Sequence, residues 1–205
     1  MLEFYQQFLS DLQATSGWEW LAVILAIAYL LLAVKESLWC WPAAFFSTSI
    51  YIFLFFDVKL YMESFLNLYY LLMAIYGWQQ WNKTSQKDPK KPIFVWSLQK
   101  HILWISAVSI LVFVSAYLLN NYTNQDLAFV DSFTTWFAVL ATYMVTQKIL
   151  ENWLYWIVID SVSIYLYISK GFALTSVLFV LYIFLAIFGW LAWKRNYDQQ
   201  TATSA

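Results

Sequence analysis

Charge is what this sequence has least of. Only 11% of its 205 residues are Asp, Glu, Lys or Arg, whereas a soluble domain carries about 25%. With 62% hydrophobic residues, the chain reads as a polytopic membrane protein with little soluble mass. One cysteine, Cys40, excludes an internal disulfide, and one histidine, His101, leaves no metal-ligand cluster. There is no Walker sequence, no Ser-His-Asp set and no pair of carboxylates at glycosidase-like spacing. Nothing therefore argues for an enzyme, for a bound cofactor or for ATP-driven transport by this chain alone. The net charge is −1 and no basic patch suggests nucleic acid. Residues 1–16 lack the basic start and long apolar core of a signal peptide. With Leu2, Tyr5, Leu9 and Leu12 on one side, they read as an amphipathic segment lying in the membrane interface.

Roughly 20 apolar residues cross a bilayer as a helix. That ruler predicts seven spans, at about 18–35, 38–56, 60–81, 98–119, 127–147, 150–169 and 171–193. The breaks are short and polar, except for the Pro- and Lys-rich stretch 82–97, which cannot lie in lipid. Orientation follows from the basic residues. Lys35, Lys83, Lys87, Lys90, Lys91, Lys100, Lys148, Lys194 and Arg195 fall on one side; Lys59 and Lys170 fall on the other. This asymmetry predicts the N-terminus outside and the C-terminal tail 194–205 inside.

The chain also repeats itself. Tyr76-Gly77-Trp78-Gln79-Gln80-Trp81 closes the third span, and Phe188-Gly189-Trp190-Leu191-Ala192-Trp193 closes the seventh. Tyr182, Ala186 and Ile187 match Tyr70, Ala74 and Ile75 at an offset of 112. Glu151 and Trp156 match Glu36 and Trp41 at 115, a drift that a slightly shorter loop would produce. Residues 17–81 and 127–193 thus read as two three-helix units, with 98–126 as a linker helix and outer loop that keeps them parallel. Parallel repeats are a transporter design with the solute site at the repeat interface.

Polar residues inside the spans mark candidate sites. On the sixth span Trp153, Trp156 and Asp160 fall at i, i+3 and i+7, so they share a face that Ser163 and Tyr167 prolong. A carboxylate at such depth faces a bundle interior or a watery cavity, and indole faces attract flat or cationic ligands. Anchoring tryptophans beside a structural aspartate would give the same pattern. On the third span Glu63, Asn67, Tyr70, Ala74 and Gly77 form a second stripe. Asn67 needs a partner there, because an unpaired buried amide costs on the order of 1–7 kcal/mol. The second span carries Ser47, Thr48 and Ser49, which either back-bond to their own helix or, for one of them, reach a ligand. Asp131 sits near the outer mouth, and His101 at the inner interface.

Phe55-Phe56, Leu60-Tyr61, the Tyr76–Trp81 motif, Asp131-Ser132 and Glu151-Asn152-Trp153-Leu154-Tyr155-Trp156 together resemble the PnuC-like family of bacterial vitamin transporters. The resemblance implies an all-α, 3+1+3 arrangement of seven transmembrane helices related to the SWEET carriers, a homotrimer, and residence in the bacterial cytoplasmic membrane. It also implies facilitated diffusion of a vitamin that a cytoplasmic kinase then phosphorylates. The candidate substrate contacts are Ser47, Asn67, Tyr70, Asn152, Trp153, Trp156 and Asp160. Nicotinamide riboside carriers of the family favour asparagine, glutamine and asparagine where this chain has Ser47, Asn67 and Asp160. The departures at Ser47 and Asn67 narrowly favour thiamine, since Asp160 could balance the cationic ring of either vitamin, with nicotinamide riboside as the alternative within the family. A membrane-embedded enzyme and a non-transporting membrane subunit are the distant alternatives.

Overall fold

A computed structural model describes residues 2–57, 61–82, 92–122 and 127–204. The side chains of Phe55, Tyr61 and Glu63, the motif residue Leu60, and the lysines at 59, 83, 87, 90 and 91 lie outside the described set.

The described residues form eight helices: α1 (Leu2–Ala14), α2 (Gly17–Val34), α3 (Cys40–Asp57), α4 (Tyr61–Asn82), α5 (Leu98–Tyr122), α6 (Ala128–Thr146), α7 (Asn152–Ser169) and α8 (Ala173–Ser204). α2, α5, α6 and α8 are long and apolar enough to cross a membrane by length and composition. α3, α4 and α7 span 18, 22 and 18 residues, and Cys40–Leu54 of α3 is a shorter apolar stretch. α5 turns Ile102, Leu103, Ile105, Ile110 and Phe113 outward, a surface that suits acyl chains rather than water. α8 outruns its apolar span: it stays helical to Ser204, and Gln200 Oε1 accepts a bond from the Ile93 amide at 3.1 Å.

Six of the helices close a ring. α2 packs on α3, α3 on α4, α4 on α6, α6 on α7, α7 on α8, and α8 back on α2. α5 lies outside against α6, and α1 outside against α8. Asp11 of α1 accepts a bond from the Leu174 amide at 3.3 Å, capping an otherwise orphan donor at the start of α8.

The internal repeat is written in the hydrogen bonds. α2 ends with Glu36 N–H donating to Ala33 and Ser37 N–H to Leu32; 112 positions on, Lys148 N–H donates to Val145 and Ile149 N–H to Met144. Both ends are the paired closing bonds of a Schellman turn, and Glu36 and Lys148 share a left-handed φ of 54°. The Trp81 indole donates to the Val145 carbonyl at 3.3 Å, and the Trp193 indole to Ala33 at 3.0 Å. Each bond is the other shifted by 112 positions. Trp41 lies flat over Gly77 and Trp153 over Gly189, so closely that a Cβ on either glycine would enter the ring. The offset is therefore constant. Lys148, not Glu151, occupies the place of Glu36, and Trp153, not Trp156, occupies that of Trp41.

Candidate functional site

Asp160 is the ninth residue of α7's 18, about 12 Å along the axis from the first. It is 3% exposed. The expected stripe holds in part: Trp153, Asp160 and Ser163 lie on the buried face of α7 with Asn152, Ile159 and Leu166, whereas Trp156 and Tyr167 are half-buried. Among the described residues no donor or cation is bonded to the Asp160 carboxylate. The Tyr182 phenol of α8 lies within electrostatic range of it and of Tyr51 on α3. Three helices thus bring polar groups to one level inside the ring, although α3 touches neither α7 nor α8 along the backbone.

An aromatic wall adjoins this level. Tyr70 of α4, Phe137 of α6, and Tyr155 and Trp156 of α7 pack around Ala138, Ala141 and Ile159. Small residues on α6 let the larger rings approach across the bundle. Tyr69 fixes the α4–α6 seam beside it, its hydroxyl donating to the Val139 carbonyl at 2.9 Å. Asn67 is buried one turn from Tyr70 on the same helix.

The other candidates sit elsewhere. Trp153 stands edge-on to Trp193 at 5.4 Å, 90° apart, in a cluster toward the Lys148 end of the bundle. Trp156 touches both that cluster and the wall. Asn152 spends its amide N–H on the Ile149 carbonyl at 2.7 Å; among the described residues its buried oxygen and the indole N–H groups of Trp41 and Trp153 have no partner. Ser47 donates to the Ala22 carbonyl of α2 at 2.8 Å, which commits its only proton to helix packing. Thr48 and Ser49 back-bond within α3.

Several expectations are revised. Lys148 is not a solvated loop charge but is buried against Glu36 at 2.6 Å. Glu151 accepts from the Trp96 amide at 3.3 Å, and His101, expected at the interface, meets the Tyr155 hydroxyl at 2.9 Å. Tyr51 and Tyr182 were not among the predicted contacts. Tyr182 could have been found, because the repeat pairs it with Tyr70.

A family model described as nicotinamide mononucleotide transporter matches residues 16–195. The chain belongs to this family. The nicotinamide riboside transporter PnuC of Escherichia coli (strain K12) is 25% identical over 209 residues, covering 86% of each chain. The riboflavin/roseoflavin transporter RibM of Streptomyces davaonensis is 26% identical over 180 residues, covering 84% of each. A crystal structure of the vitamin B3 transporter PnuC superposes with a TM-score of 0.75 at 19% identity, over 97% of this chain and 89% of that one. The fold is therefore that of a multi-pass transporter of the PnuC-like family, and the ring places a buried acid beside an aromatic wall.

Proposed function

We propose that this chain carries a cationic pyridinium riboside, nicotinamide riboside, across the membrane by uniport. The observation that supports it is Asp160, buried to 97% without a bonded partner among the described residues. A carboxylate in that setting is stabilised by a ligand bearing positive charge. In this reading Trp156 and Tyr70 face the ring of the vitamin, Asp160 balances its charge, and Asn67 and Tyr182 bond its polar substituents. Asn152 and Trp153 line the path toward the Lys148 end, and Ser47 can only accept.

Nicotinamide riboside takes precedence over thiamine because the E. coli relative is named for it. Riboflavin has a neutral ring and gains no charge balance from Asp160. A mononucleotide carries a phosphate that Asp160 would repel, and the one buried cation among the described residues, Lys148, is already paired.

The six-helix ring supports a SWEET-like arrangement of two parallel three-helix units, α2–α4 and α6–α8, joined by α5, rocking about the site. The lysine asymmetry supports an external N-terminus and a cytoplasmic tail. Uptake into liposomes holding this protein alone, with nicotinamide riboside, thiamine and the mononucleotide side by side, tests the reading. Flux of the riboside should persist without an ion gradient. Flux that collapses without a proton or sodium gradient refutes uniport, and preference for thiamine refutes the substrate.

A further inference from the structure

Left-handed C-terminal turns are the natural place for glycine. The two equivalent turns ending α2 and α6 instead hold Glu36 and Lys148, each at φ 54°. Their side chains meet at 2.6 Å, 1% and 2% exposed. Asn196 of α8 donates to the second oxygen of Glu36 at 2.6 Å. The Lys148 ammonium also lies 4.6 Å from the centre of the Trp81 ring. Every one of these contacts joins α2–α4 to α6–α8, as do the Trp81 and Trp193 indole bonds beside them.

Stability does not account for the arrangement. A buried ion pair adds little over apolar residues of the same volume, and two non-glycine residues at positive φ add strain. What a pair of this kind supplies is reversibility. Separated into water, both ions recover the hydration they lost, so closed and open states differ by little. An apolar plug would have to expose its surface instead.

We infer that Glu36 and Lys148 form the latch of a gate at this end of the bundle, closed in this structure, that must part each time solute passes to or from that side. The inference rests on the transport reading above. At the opposite end the ion pair between Asp131 and Lys170, 3.9 Å and partly solvated, ties α6 to the end of α7 within one half, so it does not fasten the halves to each other as Glu36 and Lys148 do.

The chain supplies its own reporter. Cys40, its only thiol, is fully buried in the cluster beside the latch and lies within electrostatic range of Lys148. The rate at which N-ethylmaleimide modifies Cys40 in the full-length protein in nanodiscs therefore reads how often this end opens. Glu36→Gln and Lys148→Met should each raise that rate at least about tenfold. The two variants change the charge beside the thiol in opposite directions, so a shared acceleration reports access rather than reactivity. The swap E36K/K148E, in which Asn196 can turn its amide to accept, should return the rate to near wild type. Glu36→Gln keeps the shape and one acceptor for Lys148, and Asn196 can turn its amide oxygen to the new N–H, which covers the case in which Lys148→Met fails to fold.

Unchanged modification in Glu36→Gln overturns the latch, and so does a swap that reacts as fast as the single variants. The labelling needs no substrate. A protein that transports none of the vitamins, yet opens at Cys40 when the pair is cut, keeps the latch and removes the transport reading alone.

Discussion

Replacing Asp160 by asparagine removes one charge and almost no volume. A pyridinium nitrogen about 4 Å from the carboxylate, at an effective dielectric constant near 20, gains roughly 4 kcal/mol of Coulomb energy. Desolvating the ring and the hydrogen bonds that the amide still offers offset part of this. A net loss of about 1–3 kcal/mol remains, a rise in Kd of roughly fivefold to 150-fold. The effect on the empty protein has the opposite sign. Asp160 is buried with no bonded partner among the described residues, so Asp160→Asn should leave the melting temperature level or raise it. Calorimetric titration with nicotinamide riboside and with its reduced, uncharged form separates charge from shape. The variant should bind the cation weakly and the neutral form as wild type does. Unchanged affinity for the cation, in a variant that melts no lower than wild type, refutes the role of the carboxylate.

Trp156→Ala should weaken riboside binding about tenfold with little loss of stability, as judged by titration and thermal melting together. Trp153→Ala should cost about 3–5 kcal/mol of stability, because the indole fills the space over Gly189 and abuts Trp193. Gly77→Ala and Gly189→Ala should each destabilise by about 1–3 kcal/mol through overpacking, and by similar amounts, in thermal melts of the detergent-solubilised protein. A clear inequality would contradict the equivalence of the two joints.

The helices were legible because hydropathy and length decide them. The expected span 18–35 is α2 at Gly17–Val34, and 150–169 is α7 at Asn152–Ser169. The continuation of α8 past Trp193 was not legible, since a largely polar helix carries no apolar signal and its ties, Asn196 to Glu36 and Gln200 to the Ile93 amide, are to residues remote in sequence. Spacing alone found Trp153, Asp160 and Ser163 of the buried stripe of α7, but it also placed there Trp156 and Tyr167, which are half-buried. The repeat was visible where equivalent residues are identical, as with Trp81 and Trp193. It slipped to the wrong offset at Glu36, whose counterpart is the oppositely charged Lys148. Matching by identity cannot find a pair that is complementary. Ser47 shows the converse limit, for its polarity was plain but its partner, a backbone carbonyl on a neighbouring helix, leaves no mark in the sequence.

The two tryptophan–glycine joints have a mechanical consequence. With Trp41 seated on Gly77 and Trp153 on Gly189, α3 cannot slide on α4, nor α7 on α8, without lifting an indole off its bed. Shear is thereby blocked between α3 and α4 and between α7 and α8, whereas the α4–α6 and α8–α2 seams are held by hydrogen bonds rather than by an interlocked ring. An aperture bounded in that way parts as a slit between two stiff plates, and its width is set by how far the plates tilt.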